Sequence, residues 1–213
     1  MDGICFIVGA GSFSAEIIDK RPGDYLIAAD GGYEHIKRIG LVPDLTLGDF
    51  DSMAAPPETG VVERFPAQKD DTDMMLALKR GLSMGYLRFA IYGGLGGRLD
   101  HTLANTQALA YLSKRGACAF LVGDGMVLTA ITDGELCIPA GKAGTVSVFG
   151  LGDCSAGVTL EGLKFPLENA ILSFDRPLGV SNAFTGRRAR IAVSKGTLLI
   201  LWYEDDFSPR TAF

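Results

Sequence analysis

The sequence predicts an α/β fold followed by an all-β region: an N-terminal α/β domain with a mostly parallel sheet over residues 1–125, and a C-terminal antiparallel β-sandwich over residues 126–213. Up to residue 125, short apolar runs alternate with segments of helical spacing, which is typical of a sheet covered by helices. Beyond residue 125, short strand-like runs follow one another with turns between them, which favours an antiparallel sandwich.

The first region contains the alternating elements. Strands are predicted over 4–8, 25–29, 45–47, 61–65, 87–92 and 119–122, and helices over 33–39, 73–84 and 101–115. In the last helix, Leu103, Ala104, Ala108, Leu109 and Leu112 recur at helical spacing. Gly116 then suits the end of that helix, because glycine readily adopts the left-handed conformation of a helix stop.

The second region contains only strand-like segments. Strands are predicted over 127–131, 135–138, 145–150, 157–160, 170–174, 188–194 and 198–203. The tail after Glu204 is expected to be frayed, as chain ends without strong apolar patterning often are.

Composition narrows the class of protein. With 47% hydrophobic and 21% charged residues in 213, the chain is expected to fold rather than to be disordered. A net charge of -5 without a polybasic run argues against a nucleic-acid or membrane partner. The N-terminus lacks the pattern of a signal peptide, and no window approaches the roughly 18 to 20 apolar residues of a membrane helix. We therefore expect a soluble cytoplasmic protein.

Asp30, Gly31 and Gly32 directly follow a predicted strand. Ligands bind at the carboxyl ends of strands in open α/β sheets, and glycines allow a backbone to approach a phosphate or ribose closely. Taken alone, this segment is better interpreted as a turn into a helix that the aspartate caps.

Asp49 and Asp51 also follow a predicted strand and stand two residues apart. In an extended chain this spacing directs both carboxylates to the same side. Two converging carboxylates repel unless a cation neutralises them, and Mg²⁺ prefers such hard oxygen ligands. The alternative is a solvated acidic turn.

A third acidic segment, Lys69 to Asp73, opens a predicted helix. Asp70 and Asp73 lie three residues apart and would face the same way on a first turn. The alternative is ordinary helix capping, with Thr72 or Asp71 as the N-cap residue.

A glycine-rich segment, Gly93 to Gly97, lies between a strand and a helix and is followed by Arg98 and Asp100. Such loops present backbone N–H groups to phosphate, and Gly94 and Gly97 are expected to let a nucleotide approach. Arg98 supplies a forked, permanently charged donor for phosphate oxygens. Asp100 is either a metal ligand or a helix cap, and the P-loop pattern is absent.

The glycines at positions 9 and 11 follow the first strand in a partial dinucleotide-binding pattern. Ser14 occupies the place of its third glycine, so we interpret this segment as a plain turn.

Taken in order, these segments resemble the thiamine pyrophosphokinase family. The matching pieces are ADGG at 29–32, PDLTLGDFDS at 43–52, KDDTD at 69–73, GGLGGRLDH at 93–101 and VSN at 180–182. The resemblance implies transfer of the diphosphate of ATP to thiamine, with Mg²⁺ as cofactor. It also implies an α/β catalytic domain, a β-sandwich that binds thiamine, and a homodimer with active sites between subunits.

The resemblance also implies roles for single residues. Metal and catalytic roles fall on carboxylates, namely Asp49, Asp51, Asp73 and Asp100. Apart from the resemblance, the chemistry of the transfer makes Asp73 or Asp70 the nearest candidate to accept the thiamine proton, and Arg98 would stabilise the polyphosphate. Nucleotide contacts are expected from Asp30, Gly31, Gly94, Gly97 and Arg98. Thiamine contacts are expected from Phe165, Ser181 and Asn182, and Trp202 is better explained as sandwich core.

Some positions depart from the family pattern. Leu76 stands where some members have a lysine, Met75 where a glutamate is frequent, and Ala183 where an acid is frequent in bacterial members. Lys69 or Arg98 could supply the missing positive charge. Two other hypotheses remain open: a metal-dependent phosphohydrolase, and a non-catalytic nucleotide- or thiamine-binding protein on the same scaffold.

Overall fold

A computed structural model describes residues 2–13, 18–50 and 60–213. Contacts divide the chain into two compact units. The first comprises Met1–Ala108, Ala119–Asp124 and Ser208–Phe213, and the second comprises Leu109–Cys118 and Gly125–Phe207. Among the helices in the described ranges, none is long and apolar enough to cross a membrane.

The first unit is built on a largely parallel sheet with strand order β4-β3-β2-β1-β5-β6. Its strands are β1 (Cys5–Val8), β2 (Tyr25–Ala29), β3 (Leu45–Gly48), β4 (Val61–Arg64), β5 (Arg88–Tyr92) and β6 (Cys118–Gly123). β1 pairs in parallel with β2 and β5, and β3 pairs in parallel with β2 and β4. The parallel α/β arrangement expected for this half is confirmed.

The helices are α1 (Gly32–Arg38), α2 (Asp73–Ser83) and α3 (Leu99–Ser113), each within two residues of its predicted bounds. α1 packs against β1 and β2. α2 lies against β1, β2 and β3 and buries Met74, Ala77, Leu78 and Gly81, the spacing of one helix face. β1 is buried along its whole length, as expected for a central parallel strand.

The second unit consists mainly of antiparallel strands. They are β7 (Met126–Thr132), β8 (Glu135–Ile138), β9 (Thr145–Glu161), β10 (Leu167–Ser173), β11 (Gly179–Ala183), β12 (Ala189–Ala192) and β13 (Lys195–Tyr203). The first half of β9 pairs with β11 and β13, and its second half pairs with β10 and β12. β13 also pairs with β7, and β12 with β8.

Two strand predictions in this unit were wrong. Residues 145–150 and 157–160 belong to one continuous strand, β9, rather than to two. A turn was expected between them, but the strand continues through that stretch with a register shift against β13. β11, which carries Ser181 and Asn182, was not predicted because its sequence is short and polar.

The C-terminal tail is ordered against the first unit's sheet rather than frayed. It forms a short helix, α4 (Pro209–Ala212), and Arg210 forms an ion pair with the Asp24 carboxylate. That carboxylate is only 2% exposed and also accepts hydrogen bonds from the N–H groups of Ile4 and Arg21. The Phe213 ring packs on Phe120, 5.2 Å between centroids.

Replacing Arg210 with methionine should lower the free energy of unfolding by about 2 kcal/mol, because a buried carboxylate loses its counter-ion but keeps two backbone donors. Urea unfolding measures the change. Arg21→Met is the matched control, since Arg21 is exposed and its ion pair with Asp19 should contribute less than about 1 kcal/mol. Equal effects in the two variants would contradict the prediction.

Candidate functional site

The candidate site lies at the carboxyl edge of the parallel sheet in the first unit. Because parallel strands end at the same edge, the segments that follow β1, β2 and β5 meet there. They enclose a cavity of about 390 Å³. Its lining residues are Gly9, Ala10, Gly11, Ala29, Asp30, Thr72, Asp73, Met74, Gly93, Gly94, Gly96, Gly97, Arg98, His101 and Asn105.

The floor of this cavity is a close contact between two backbones. Gly9 N donates to Tyr92 O (2.8 Å), and Gly11 N donates to Gly93 O (2.7 Å). A Cβ on Gly93, whose φ is +60°, would lie 2.2 Å from Gly9 O, so no larger side chain fits at this position. The turn after β1 is therefore part of the site, and interpreting it as a plain turn missed this.

Asp30 sits at the end of β2 in a left-handed conformation, with φ of +48°. Its N–H donates to Leu47 O at 2.8 Å, which ties the end of β2 to β3. A non-glycine residue in this region is strained, and such strain often accompanies a functional role. The structure places Asp30 on the cavity wall, whereas Gly31, the N-cap of α1, is not among the lining residues.

A small ionic cluster joins the segment after β3 to the start of α2. Lys69 Nζ lies 3.4 Å from Asp49 Oδ2 and 2.9 Å from Asp73 Oδ1. All three side chains are at most 22% exposed. Asp49 and Asp73, which the sequence separates by 24 positions, thus meet on one ammonium group.

The position of Asp73 follows from helix capping. Thr72 is the N-cap of α2, and its Oγ1 accepts a hydrogen bond from Met75 N at 3.2 Å. Of the two capping candidates, Thr72 rather than Asp71 fills this role, and Asp71 instead pairs with Lys79 at 2.6 Å. Asp73 therefore occupies the first turn of the helix and lines the cavity, while Asp70 is exposed on the preceding loop.

The cluster carries more negative charge than Lys69 neutralises. Burial raises the pKa of Asp73, and Asp30 and Asp49 raise it further, against the lowering by Lys69. Burial alone would lower the pKa of Lys69, but the carboxylates of Asp73 and Asp49 outweigh burial, so the pKa of Lys69 is raised. An added cation would therefore be favourable beside these carboxylates.

The donor set fits a hard divalent cation, since the carboxylates of Asp49 and Asp73 supply the oxygens that Mg²⁺ prefers. Within residues 2–13, 18–50 and 60–213, no group of three His, Cys, Asp or Glu residues is arranged to hold a metal. Asp51, which the sequence analysis named beside Asp49, lies outside the described residues.

Arg98 and Asp100 form a separate pair at the start of α3. Arg98 Nε and Nη2 donate to the two carboxylate oxygens of Asp100, at 3.1 and 2.6 Å. Arg98 holds the pKa of Asp100 down at about 2, assisted by a hydrogen bond from His101 N. Both side chains are exposed, and Arg98 and His101 line the cavity. The structure brings Asp100 to Arg98 rather than into the ionic cluster.

Asn105 is a cavity residue that sequence reasoning missed. It is buried on α3, and its Nδ2 donates to Gly94 O at 2.7 Å, which fixes the glycine-rich loop to the helix. The available signal was a polar residue three, four and seven positions before Ala108, Leu109 and Leu112, which places it on their apolar face. Gly94 and Gly97 both line the cavity, as their expected roles require.

In the second unit, Asn182 organises the segment that carries Phe165. The buried Asn182 side chain accepts from Phe165 N through Oδ1 (2.9 Å) and donates from Nδ2 to Phe165 O (2.7 Å). Its Oδ1 also accepts from Ala183 N. The Phe165 ring remains 56% exposed, with Lys164 Nζ 5.2 Å from its centroid. Ser181 is exposed at φ of +57°, and its N–H donates to Ser147 Oγ.

Two family models match the chain. One, described as thiamin pyrophosphokinase, catalytic domain, matches residues 20–121, and the other, described as thiamin pyrophosphokinase, vitamin B1 binding domain, matches residues 135–198. A thiamine pyrophosphokinase of Bacillus subtilis is 28% identical over 82% of this chain and 85% of that protein. Thiamin pyrophosphokinase 1 of Caenorhabditis elegans is 26% identical over 85% and 80%, respectively.

Solved structures agree with these matches. The crystal structure of thiamine pyrophosphokinase from B. subtilis has a TM-score of 0.81 at 26% identity, covering 94% of this chain and 99% of that one. Thiamin pyrophosphokinase from Candida albicans shares the fold, with a TM-score of 0.72 at 16% identity over 95% and 89%. Since both domain models match in order and together cover well over half of the sequence, the chain belongs to the thiamin pyrophosphokinase family.

Proposed function

We propose that this protein transfers the diphosphate group of ATP to the hydroxyl of thiamine, giving thiamine diphosphate and AMP. The observation that carries the proposal is the cavity at the carboxyl edge of the sheet. In a chain of this family, it combines a floor of glycine backbone, the guanidinium of Arg98 and the carboxylate of Asp73, which connects the cavity to Lys69 and Asp49. A site for a polyphosphate needs room, cationic donors and a metal. The cavity supplies the room and the cationic donor, and the carboxylates fit the metal.

The two glycine segments contribute to phosphate binding in different ways. The N–H groups of Gly9 and Gly11 already donate to Tyr92 and Gly93, so this turn provides space rather than donors. The first turn of α3 provides donors instead, because the first N–H groups of a helix lack intrahelical partners and carry partial positive charge. Of these, the N–H of His101 donates to Asp100 Oδ1 and must release that oxygen to reach a phosphate. Arg98 adds a charged fork beside them.

Mg²⁺ fits the carboxylates of Asp49 and Asp73, with Asp51 and Asp100 as further proposed ligands. When bound, it would neutralise charge on the phosphate oxygens. The residues of this chain would orient the phosphates, hold the α-phosphate side near Arg98 and exclude water around the β-phosphorus. Asp30, Gly31, Gly94 and Gly97 are proposed nucleotide contacts.

In the transfer itself, the thiamine hydroxyl oxygen forms a bond to the β-phosphorus. The bond from that phosphorus to the oxygen bridging it to the α-phosphorus breaks, and AMP leaves with the electron pair. The γ-phosphate stays attached to the β-phosphate. A carboxylate accepts the hydroxyl proton, and Asp73, which lines the cavity, is better placed for this than the exposed Asp70.

Thiamine is proposed to bind at the segment that Asn182 organises in the second unit. The Phe165 ring is exposed and offers a face to the cationic thiazolium of thiamine. The Lys164 ammonium, 5.2 Å from the ring centroid, must move away for this contact, because the two positive charges repel. Asn182 acts through Phe165 as a positioning residue, and Ser181 is available for a polar contact.

We further propose that residues 1–125 form the nucleotide domain, that residues 126–213 form a β-sandwich that binds thiamine, and that the protein is a cytoplasmic homodimer with active sites between subunits. The antiparallel pairing around β9 supports the sandwich.

The exposed apolar side chains of Ile171 and Phe174, 62% and 77% accessible, support a subunit interface on β10 and the turn after it. The use of ATP supports the cytoplasm.

The direct test incubates the protein with ATP, Mg²⁺ and thiamine and separates the products by chromatography. AMP and thiamine diphosphate in equal amounts are expected, and neither should form without thiamine. Phosphate release in the absence of thiamine would instead identify a phosphohydrolase. Binding of both substrates without turnover would identify a non-catalytic binding protein.

Replacing Asp49 with asparagine should lower kcat about 100-fold or more, because it removes a carboxylate that faces Lys69 and fits the metal. Steady-state AMP formation measures kcat, and urea unfolding verifies that the variant is folded. Asp71→Asn is the matched control, since Asp71 pairs with Lys79 outside the cluster and should change kcat less than about twofold. A similar loss in both variants would contradict the assignment.

Replacing Asn182 with alanine should raise the KM for thiamine about tenfold and leave the KM for ATP unchanged, because Phe165 loses both backbone anchors. Phe165→Leu should raise the same KM through loss of the aromatic face. Initial rates at varied thiamine and ATP measure the two constants separately. Parallel changes in both constants would show a general structural role and contradict the prediction.

A further inference from the structure

Lys69 is the cation that the ionic cluster already contains. Its ammonium contacts Oδ2 of Asp49 from the segment after β3 and Oδ1 of Asp73 from the first turn of α2. The Lys69 side chain is 13% exposed, so little water remains to solvate its charge. A lysine so enclosed is retained only where carboxylates compensate its desolvation.

The arrangement places the ammonium on atoms that a metal would use. A divalent cation held by both Asp49 and Asp73 needs carboxylate oxygens of each, and Lys69 occupies one oxygen of each. Two positive charges at contact distance from the same oxygens repel, so the cation and the ammonium compete for the pair.

We propose that Lys69 is a built-in counter-ion of the Asp49–Asp73 pair, which a divalent cation must displace, so that the nucleotide-free protein binds free divalent cations weakly. The inference rests on the proposed function insofar as these carboxylates hold the metal. It assigns Lys69 a positioning role: it keeps two segments together before the metal enters. It also favours entry of the metal with its nucleotide, whose phosphates bring additional ligands.

The test measures Mn²⁺ binding to the nucleotide-free full-length protein by the electron paramagnetic resonance signal of unbound Mn²⁺. Lys69→Met should bind Mn²⁺ on the order of tenfold more tightly than the wild type, because the competing charge is gone. Lys69→Arg retains the charge and should bind like the wild type. Lys79→Met is the matched control: it removes the same charge from an ion pair with Asp71, at 41% exposure, and should change affinity less than about twofold.

A second readout follows from linkage between binding and folding. Without metal, Lys69→Met leaves two carboxylates facing each other, and its melting temperature should fall below that of the wild type. Added Mn²⁺ should raise the melting temperature more in this variant than in the wild type, since it stabilises the folded state in proportion to its affinity. Where Lys69→Met fails to fold, Lys69→Gln keeps hydrogen-bond donors for both carboxylates and is measured in the same way.

Mn²⁺ binding by folded Lys69→Met or Lys69→Gln that is equal to or weaker than that of the wild type would overturn the proposal. Equal tightening in Lys79→Met would also overturn it, because the effect would then come from net charge alone. Absence of Mn²⁺ binding in every variant would also overturn it. The transferase assay on the wild type decides the proposed function separately, because it depends on AMP formation and not on the affinity for free metal.

Discussion

The contact between the backbones of Gly9 and Gly93 is the constraint on which the site depends. The turns after β1 and β5 share a space so narrow that a Cβ on Gly93 would lie 2.2 Å from Gly9 O. The hydrogen bond from Gly11 N to Gly93 O then fixes the two turns as one surface. Without this contact, Asp30 and Arg98 would have no common floor to line. The shape of the cavity therefore depends on two glycines, which contribute backbone and no side chain.

Charge is distributed unevenly around that floor. On one side, Asp73 lines the cavity, and its carboxylate contacts Lys69, which also contacts Asp49. On another side, Arg98 satisfies Asp100 at the exposed start of α3. Each side thus contains an ion pair within the protein. The Lys69 ammonium pairs with the carboxylates, and the Asp100 carboxylate pairs with the Arg98 guanidinium. Under the proposed function, a metal and a polyphosphate that arrive together would replace both partners at once.

Sequence patterns within a few residues predicted most of the helices and strands whose formation depends on nearby residues. The strands of the first unit, the helix that Thr72 caps, and the acidic segments at strand ends all follow from periodicity and turn chemistry within a few residues. Several of the failures share one cause, which is dependence on residues distant in the sequence. The role of Gly9 depends on Gly93, and the order of the C-terminal tail depends on the contact of Arg210 with Asp24, far away in sequence. β9 continues through its glycines because neighbouring strands hold it, which local turn signals do not reveal.

Asn182 shows that a residue within a family motif need not be one that contacts the ligand. An asparagine side chain offers two N–H donors and one oxygen acceptor. Here the oxygen accepts from Phe165 N and Ala183 N, and one N–H is donated to Phe165 O. At most one donor is left for a ligand, on a side chain that is buried. Of the two residues, Phe165 therefore presents the accessible surface, and Asn182 anchors its backbone. Motif matching alone assigned both residues the same role, and only the hydrogen bonds separate them.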